Sequence, residues 1–112
     1  MTQTLERPAP VAPKASRPGL YLAIRLADFL AQNQEALIET YPGLGSQLER
    51  LLDSENWIQR TKRVPSADEQ LAWNNVDRVY EFEPTPNPDS VAAEVYTFGV
   101  GVLGFRLTVA GQ

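Results

Sequence analysis

The chain contains no cysteine and no histidine. Without cysteine there is no disulfide, no thiolate nucleophile and no Cys-type zinc site. Without histidine the commonest general base, the pH switch near neutrality and the usual transition-metal ligand go together. Positive charge is also short. Ten Lys and Arg stand against fourteen Asp and Glu, a net charge of −4. That argues against a general binder of nucleic acid or anionic membranes, because phosphate binding begins with a basic field. No stretch approaches the roughly 18 uncharged apolar residues of a membrane span. The N-terminus lacks the apolar core of a secretory signal. The expectation is a soluble cytoplasmic protein, or one held inside an assembled particle, with no membrane contact and no cofactor. What is present is ordinary for one globular domain: 112 residues, 43% hydrophobic and 21% charged.

The longest stretch free of Pro and Gly is Leu20 to Tyr41. Its polar stripe runs Tyr21, Arg25, Asp28, Gln32, Glu35, Glu39, in steps of four and three that fall on one line of a helix. Most of the rest is apolar, an arc of roughly 200°. A helix lying on one sheet needs about half of that. The excess predicts burial on two sides, by a sheet and by a second helix or another chain. Asn33 and Gln34 interrupt the arc: either the helix breaks there, with Asn33 as the N-cap of a second segment, or the amides meet hydrogen-bond partners in an interface. A continuous helix with a less buried far end is the reading expected.

Before this helix, Pro8, Pro10, Pro13 and Pro18 exclude both helix and central strand. Residues 1–19 read as an extended, partly polyproline II arm. After it, Tyr41-Pro42-Gly43 is a stop signal. Ser46 with Glu49 matches a capping box, so a second helix carrying Leu48, Leu51 and Leu52 should complete a helical hairpin. Residues 57–64 read as a basic strand. Ser66 with Glu69 opens a short helix that should turn Leu71, Ala72 and Trp73 inward. Residues 76–83 alternate as a strand, with Arg78, Tyr80 and Phe82 on one face and Asp77, Val79, Glu81 and Glu83 on the other. Three alternate prolines then impose a stiff loop at 84–89. Residues 94–109 carry the strongest β pattern. It slips phase near Gly101 to Gly104, which predicts either one bulged strand or a hairpin.

The fold expected is α+β: an N-terminal extended arm, then a single domain at 20–112 with a helical hairpin packed on a small, mostly antiparallel sheet. Three functions are open. The first is a non-enzymatic structural or protein-interaction subunit of a homo-oligomer or multi-subunit complex. Its partner surface would use Pro8, Pro10 and Pro13 of the arm, Leu22, Leu26 and Phe29 of the helix, and Tyr96, Phe98 and Val100 of the terminal strand. By analogy alone, an arm, a helical hairpin and a Gly-rich terminal strand is the style of small subunits of large assemblies, virion tail and connector proteins among them. The second is a small regulatory nucleic-acid binder, with Trp57 stacking a base and Arg60, Lys62 and Arg63 holding phosphates. The third is a carboxylate enzyme using Glu81 and Glu83, two apart on one strand face. No Walker, Rossmann, hydrolase or EF-hand motif is present.

Overall fold

A computed structural model describes residues 18–110, so the arm with Pro8, Pro10 and Pro13 lies outside the described residues. Helix α1 (Leu20–Gln32) begins after Gly19, whose φ is +74°. A Cβ on Gly19 would lie 2.4 Å from Gln59 Oε1 and 3.1 Å from Phe82 Cζ. Both the backbone angle and the close approach therefore require glycine there. The helix buries Leu22, Ala23, Leu26, Ala27 and Leu30. It does not run unbroken to Tyr41. It is interrupted at Asn33 (φ −122°, ψ 27°) and resumes as α2 (Gln34–Thr40). The cause is local: the Asn33 amide donates to the Phe29 carbonyl at 2.7 Å, competing with the backbone for its i−4 acceptor. The Leu37 N–H still donates to the Asn33 carbonyl at 3.0 Å, so the second segment starts directly from the break.

The second arm of the hairpin is short. It is the single turn α3 (Leu48–Leu51), flanked by 3-10 turns at Pro42–Leu44 and Ser54–Asn56. The Ser46–Glu49 capping box does not form. Gln47 is the N-cap and makes no side-chain cap bond. Its amide donates instead to Asp89, and its side-chain carbonyl accepts from Arg50, so the turn is fixed by the 84–89 loop. Leu44, Leu48 and Leu51 still reach the core.

Four strands follow in a simple antiparallel meander, β1 (Trp57–Arg63), β2 (Arg78–Pro84), β3 (Val91–Phe98) and β4 (Gly101–Val109). The β1–β2 link carries α4 (Ala67–Ala72), with the Ser66–Glu69 capping box fully formed. The terminal segment is a hairpin, not one long bulged strand, because the chain reverses at Gly99 and pairs with itself, and the phase slip is a bulge within that hairpin. A hairpin turns at Gly99 (φ +62°) and Val100, and the register then slips so that Leu103 is the extra residue of a bulge. Positive φ at the first of two loop residues suits the twist of the strands and selects glycine.

The meander separates two cores. On the helix side, Trp57, Phe82, Val91, Ala93, Val95 and Val109 pack with Leu22, Leu26, Leu30 and the leucines of 44–51. Trp57 is fully buried, and its indole N–H donates to the Leu51 carbonyl at 2.7 Å. On the other face a small cluster of Val76, Val79 and Tyr96 lies beneath Trp73. The Trp73 and Tyr96 rings stack at 4.7 Å. The inward orientation expected of Leu71 and Ala72 is not found: Leu71 is 86% exposed, and Trp73 alone covers that core. Trp73 is the C-cap, just past the six-residue helix, and its extended backbone lets the ring lie over the sheet.

Candidate functional site: an ion-pair face and an uncovered end

The sheet face away from α1 and α2 carries a charge network centred on Arg63. Its guanidinium makes a two-pronged contact with Glu69, both distances 2.7 Å. It also reaches Glu81 at 3.0 Å and Glu94 at 3.2 Å. The capping box holds Glu69, because the same carboxylate accepts from the Ser66 N–H. The Arg63 hydrogen bond, chief among the causes, pulls the Glu69 carboxyl down to about 2. The Glu81 carboxyl is lowered by the Thr61 hydroxyl and then by Arg63. Tyr96 donates to Glu94 at 2.7 Å. Burial, and then that carboxylate, push its phenol up to about 12. Arg60 pairs with Glu83 at 3.3 Å, and Arg106 lies 3.9 Å from Glu94. Arg60, Glu81, Glu83, Glu94, Arg106 and Thr108 line a groove of about 370 Å³.

Glu69, Glu81, Glu83 and Glu94 each have a cationic partner. Glu81 is held ionised, which suits structure better than proton donation. Among the described residues, no group of three or more His, Cys, Asp or Glu could hold a metal ion. Nor is any helix there long and apolar enough to cross a membrane.

The residues considered for nucleic acid are not brought together. Trp57 is inside the helix-side core, Arg60 is paired with Glu83, and Arg63 is held by three glutamates. Lys62 points to the opposite side of the sheet, 5.8 Å from the Tyr80 ring centre. Several expected partner residues are also unavailable. Leu22, Leu26 and Tyr96 are buried within the chain's own two cores, since the sheet beneath and Trp73 above already cover them. Phe29 is half-buried and stacked on Phe105 at 4.6 Å. Phe98 and Val100 are at the surface, 56% and 93% exposed.

Phe98 and Val100 belong to an uncovered end of the molecule. There two adjoining grooves of about 460 and 330 Å³ share Tyr21, Leu22 and Tyr80. Gly19, Ile24 and Gln59 continue the surface on one side, and Thr97, Gly99 and Val100 on the other. Sequence reading missed Tyr21, Ile24 and Tyr80 as one surface. Tyr21 falls in the polar stripe, where its hydroxyl does accept from Arg25 at 3.0 Å, and Tyr80 shares its strand face with Phe82 of the core.

Beside this end runs the outer edge of β4, which has no strand beyond it among the described residues. The two sheet edges differ. The β1 edge carries Arg60, Lys62 and Arg63 and a register shift at Arg60, devices that discourage pairing. The β4 edge carries one charge, Arg106, already drawn toward Glu94 and Tyr96. At its far end the Tyr41 hydroxyl donates to the Leu107 carbonyl at 3.3 Å.

The chain is thus an α+β protein: a four-stranded antiparallel meander with an interrupted helix across one face and an ion-pair network on the other. Comparisons with protein families, with curated proteins and with solved structures return no match.

Proposed function

We propose that the protein is a non-enzymatic interaction subunit that associates with a second copy of itself along the free edge of β4. The observation that carries this reading is the contrast between the two edges: β1 is charged and bulged, whereas β4 is nearly uncharged and flanked by exposed Phe98, Val100 and Leu103. An unpaired edge exposes a row of backbone donors and acceptors that a like strand can satisfy. Two β4 strands related by a two-fold axis run antiparallel and would join two sheets into one of eight strands. Because Arg106 is already engaged by Glu94, the two edges meet without an unpaired charge between them.

Light scattering coupled to size exclusion tests this at low and high salt. The expected result is a dimer that persists in salt, because backbone pairing and apolar burial are only weakly screened. The double substitution Val100→Lys and Leu103→Lys places charges on the edge and should give a monomer. A wild-type chain that stays monomeric at high concentration would overturn the proposal.

A further inference from the structure

The link between β1 and β2 is held on the sheet in an unusual way. Arg63, Val79, Tyr96 and Gly104 pair in turn across the four strands and make one row on the open face. The link lies over that row and grips it at both ends. At the β1 end, Glu69 holds Arg63 by two hydrogen bonds of 2.7 Å. At the β4 end, the Trp73 ring stacks on Tyr96 and fills the space that a Cβ on Gly104 would take. Between these two points α4 contributes almost nothing. None of its residues is buried, five of the six are exposed, and Glu69 alone is half-buried. Segments with few buried apolar contacts and solvent-exposed backbone bonds are the ones that open locally. The cluster beneath Trp73 is also separate from the helix-side core, so the ring can leave without breaking into the larger core.

We propose that α4 and Trp73 form a lid over the open face, which lifts as one unit while the sheet and the helix-side core stay folded. The pivots lie where the link leaves the sheet. On one side Ser66 is extended, just after Pro65 and the end of β1. On the other, Asn75 takes a left-handed φ of +68°, and the chain is fixed again where the Asp77 N–H donates to the Thr97 carbonyl at 2.9 Å. Glu69 is the latch. Its carboxylate completes the capping box of α4 and also holds Arg63, so loosening either contact weakens the other. The open form uncovers an apolar seat for one flat ring, made by the face of Tyr96, the side chains of Val76 and Val79, and the bare backbone of Gly104. In the closed form Trp73 is its occupant. The lifting does not depend on pairing along β4.

The absence of cysteine lets one buried thiol report on each core of the full-length chain. Val79→Cys places it beneath Trp73, and Val95→Cys places it in the helix-side core. Each folded variant is exposed to a thiol reagent, and the labelling rate is followed as urea rises from zero. Without urea, Val79→Cys should label at least about a hundredfold faster than Val95→Cys. Its rate should change little in low urea, because lifting the lid exposes little surface, whereas the Val95→Cys rate should climb steeply. Adding Val91→Ala in the helix-side core should speed Val95→Cys about tenfold and leave Val79→Cys unchanged, since the lid-open form keeps that core. Amide exchange on the unaltered chain is the second measurement. The N–H groups of Gln70 and Trp73, which donate to the Ser66 and Glu69 carbonyls, should exchange with the same weak urea dependence. Equal rates and equal urea slopes for the two thiols would overturn the proposal, because the lid would then leave only with the whole fold. Fast amide exchange in α4 beside a slow Val79→Cys thiol would overturn it too, because the helix would be fraying while the ring stays seated.

Discussion

Replacing Arg63 should reveal how much of the domain's stability depends on one side chain. Arg63→Met keeps the aliphatic stem and removes the guanidinium, leaving Glu69, Glu81 and Glu94 facing one another. A carboxyl held at about 2 rather than 4.5 corresponds to roughly 3 kcal/mol of interaction, at about 1.36 kcal/mol per pH unit. The Arg63 side chain is 32% exposed, so screening reduces that to about 1–2 kcal/mol. The lost hydrogen bonds to Glu81 and Glu94 add about 1 kcal/mol. A total near 2–3 kcal/mol lowers the melting temperature of a domain this size by about 10–20 °C. The pH dependence fixes the sign. Because the folded pKa of Glu69 is depressed, its contribution is complete above about 4.5 and is lost as the pH falls toward about 2. The gap between wild type and Arg63→Met should therefore be full at pH 7 and shrink steadily on acidification. Circular dichroism melts at pH 7, 4 and 2.5 read it directly. A gap below about 0.5 kcal/mol at pH 7, or one that stays constant with pH, would refute the assignment of Arg63 as the hub.

Three further changes probe other parts of the structure. Gly104→Ala would place a Cβ 2.2 Å from Trp73 Cζ3, forcing the ring off Tyr96 at a cost of about 1–3 kcal/mol; an unchanged near-ultraviolet circular dichroism spectrum would count against that packing. Trp57→Phe leaves the Leu51 carbonyl buried without its donor and should cost about 2–3 kcal/mol, seen as a lower urea midpoint at constant m-value; a shift under about 1 kcal/mol would mean that water or another group replaces the indole. Glu81→Gln should destabilise more than Glu83→Gln, about 1 kcal/mol against a few tenths, because Glu83 makes only an exposed pair with Arg60. The reverse order in urea unfolding would contradict the network as described.

Features set by local chemistry were legible in the sequence. Ser66 and Glu69 are three apart and form the box that their spacing implies, and Pro42 with Gly43 ends the helix where expected. The glycines of 99–104 marked both the turn and the bulge, since one loop residue needs positive φ and Gly104 lies under Trp73. Features set by distant partners were not legible. Ser46 and Glu49 have the same spacing as Ser66 and Glu69 yet do not cap, because Asp89, forty-two residues away, fixes Gln47 and with it the turn. The wide apolar arc of α1 likewise could not say which of its two flanks the chain itself would cover. Leu22 and Leu26 went under, whereas Ile24 remained 43% exposed.

The candidate surfaces depended on an event with still less trace in sequence. Strict alternation from Trp57 groups Thr61 and Arg63 with Trp57 and leaves Lys62 with Arg60. In the sheet Gln59 pairs with Phe82 and Thr61 with Glu81, so Arg60 is an extra residue and every position after it changes face. No glycine announces this bulge. Its consequences run in opposite directions on the two sides. Arg63 is carried to the open face, where three glutamates await it, and Lys62 is carried to the helix side, over the ring of Tyr80. The same slip therefore builds the ion-pair hub, gives the aromatic groove its cationic margin, and disperses the basic cluster that a regular strand would have offered to a phosphate backbone.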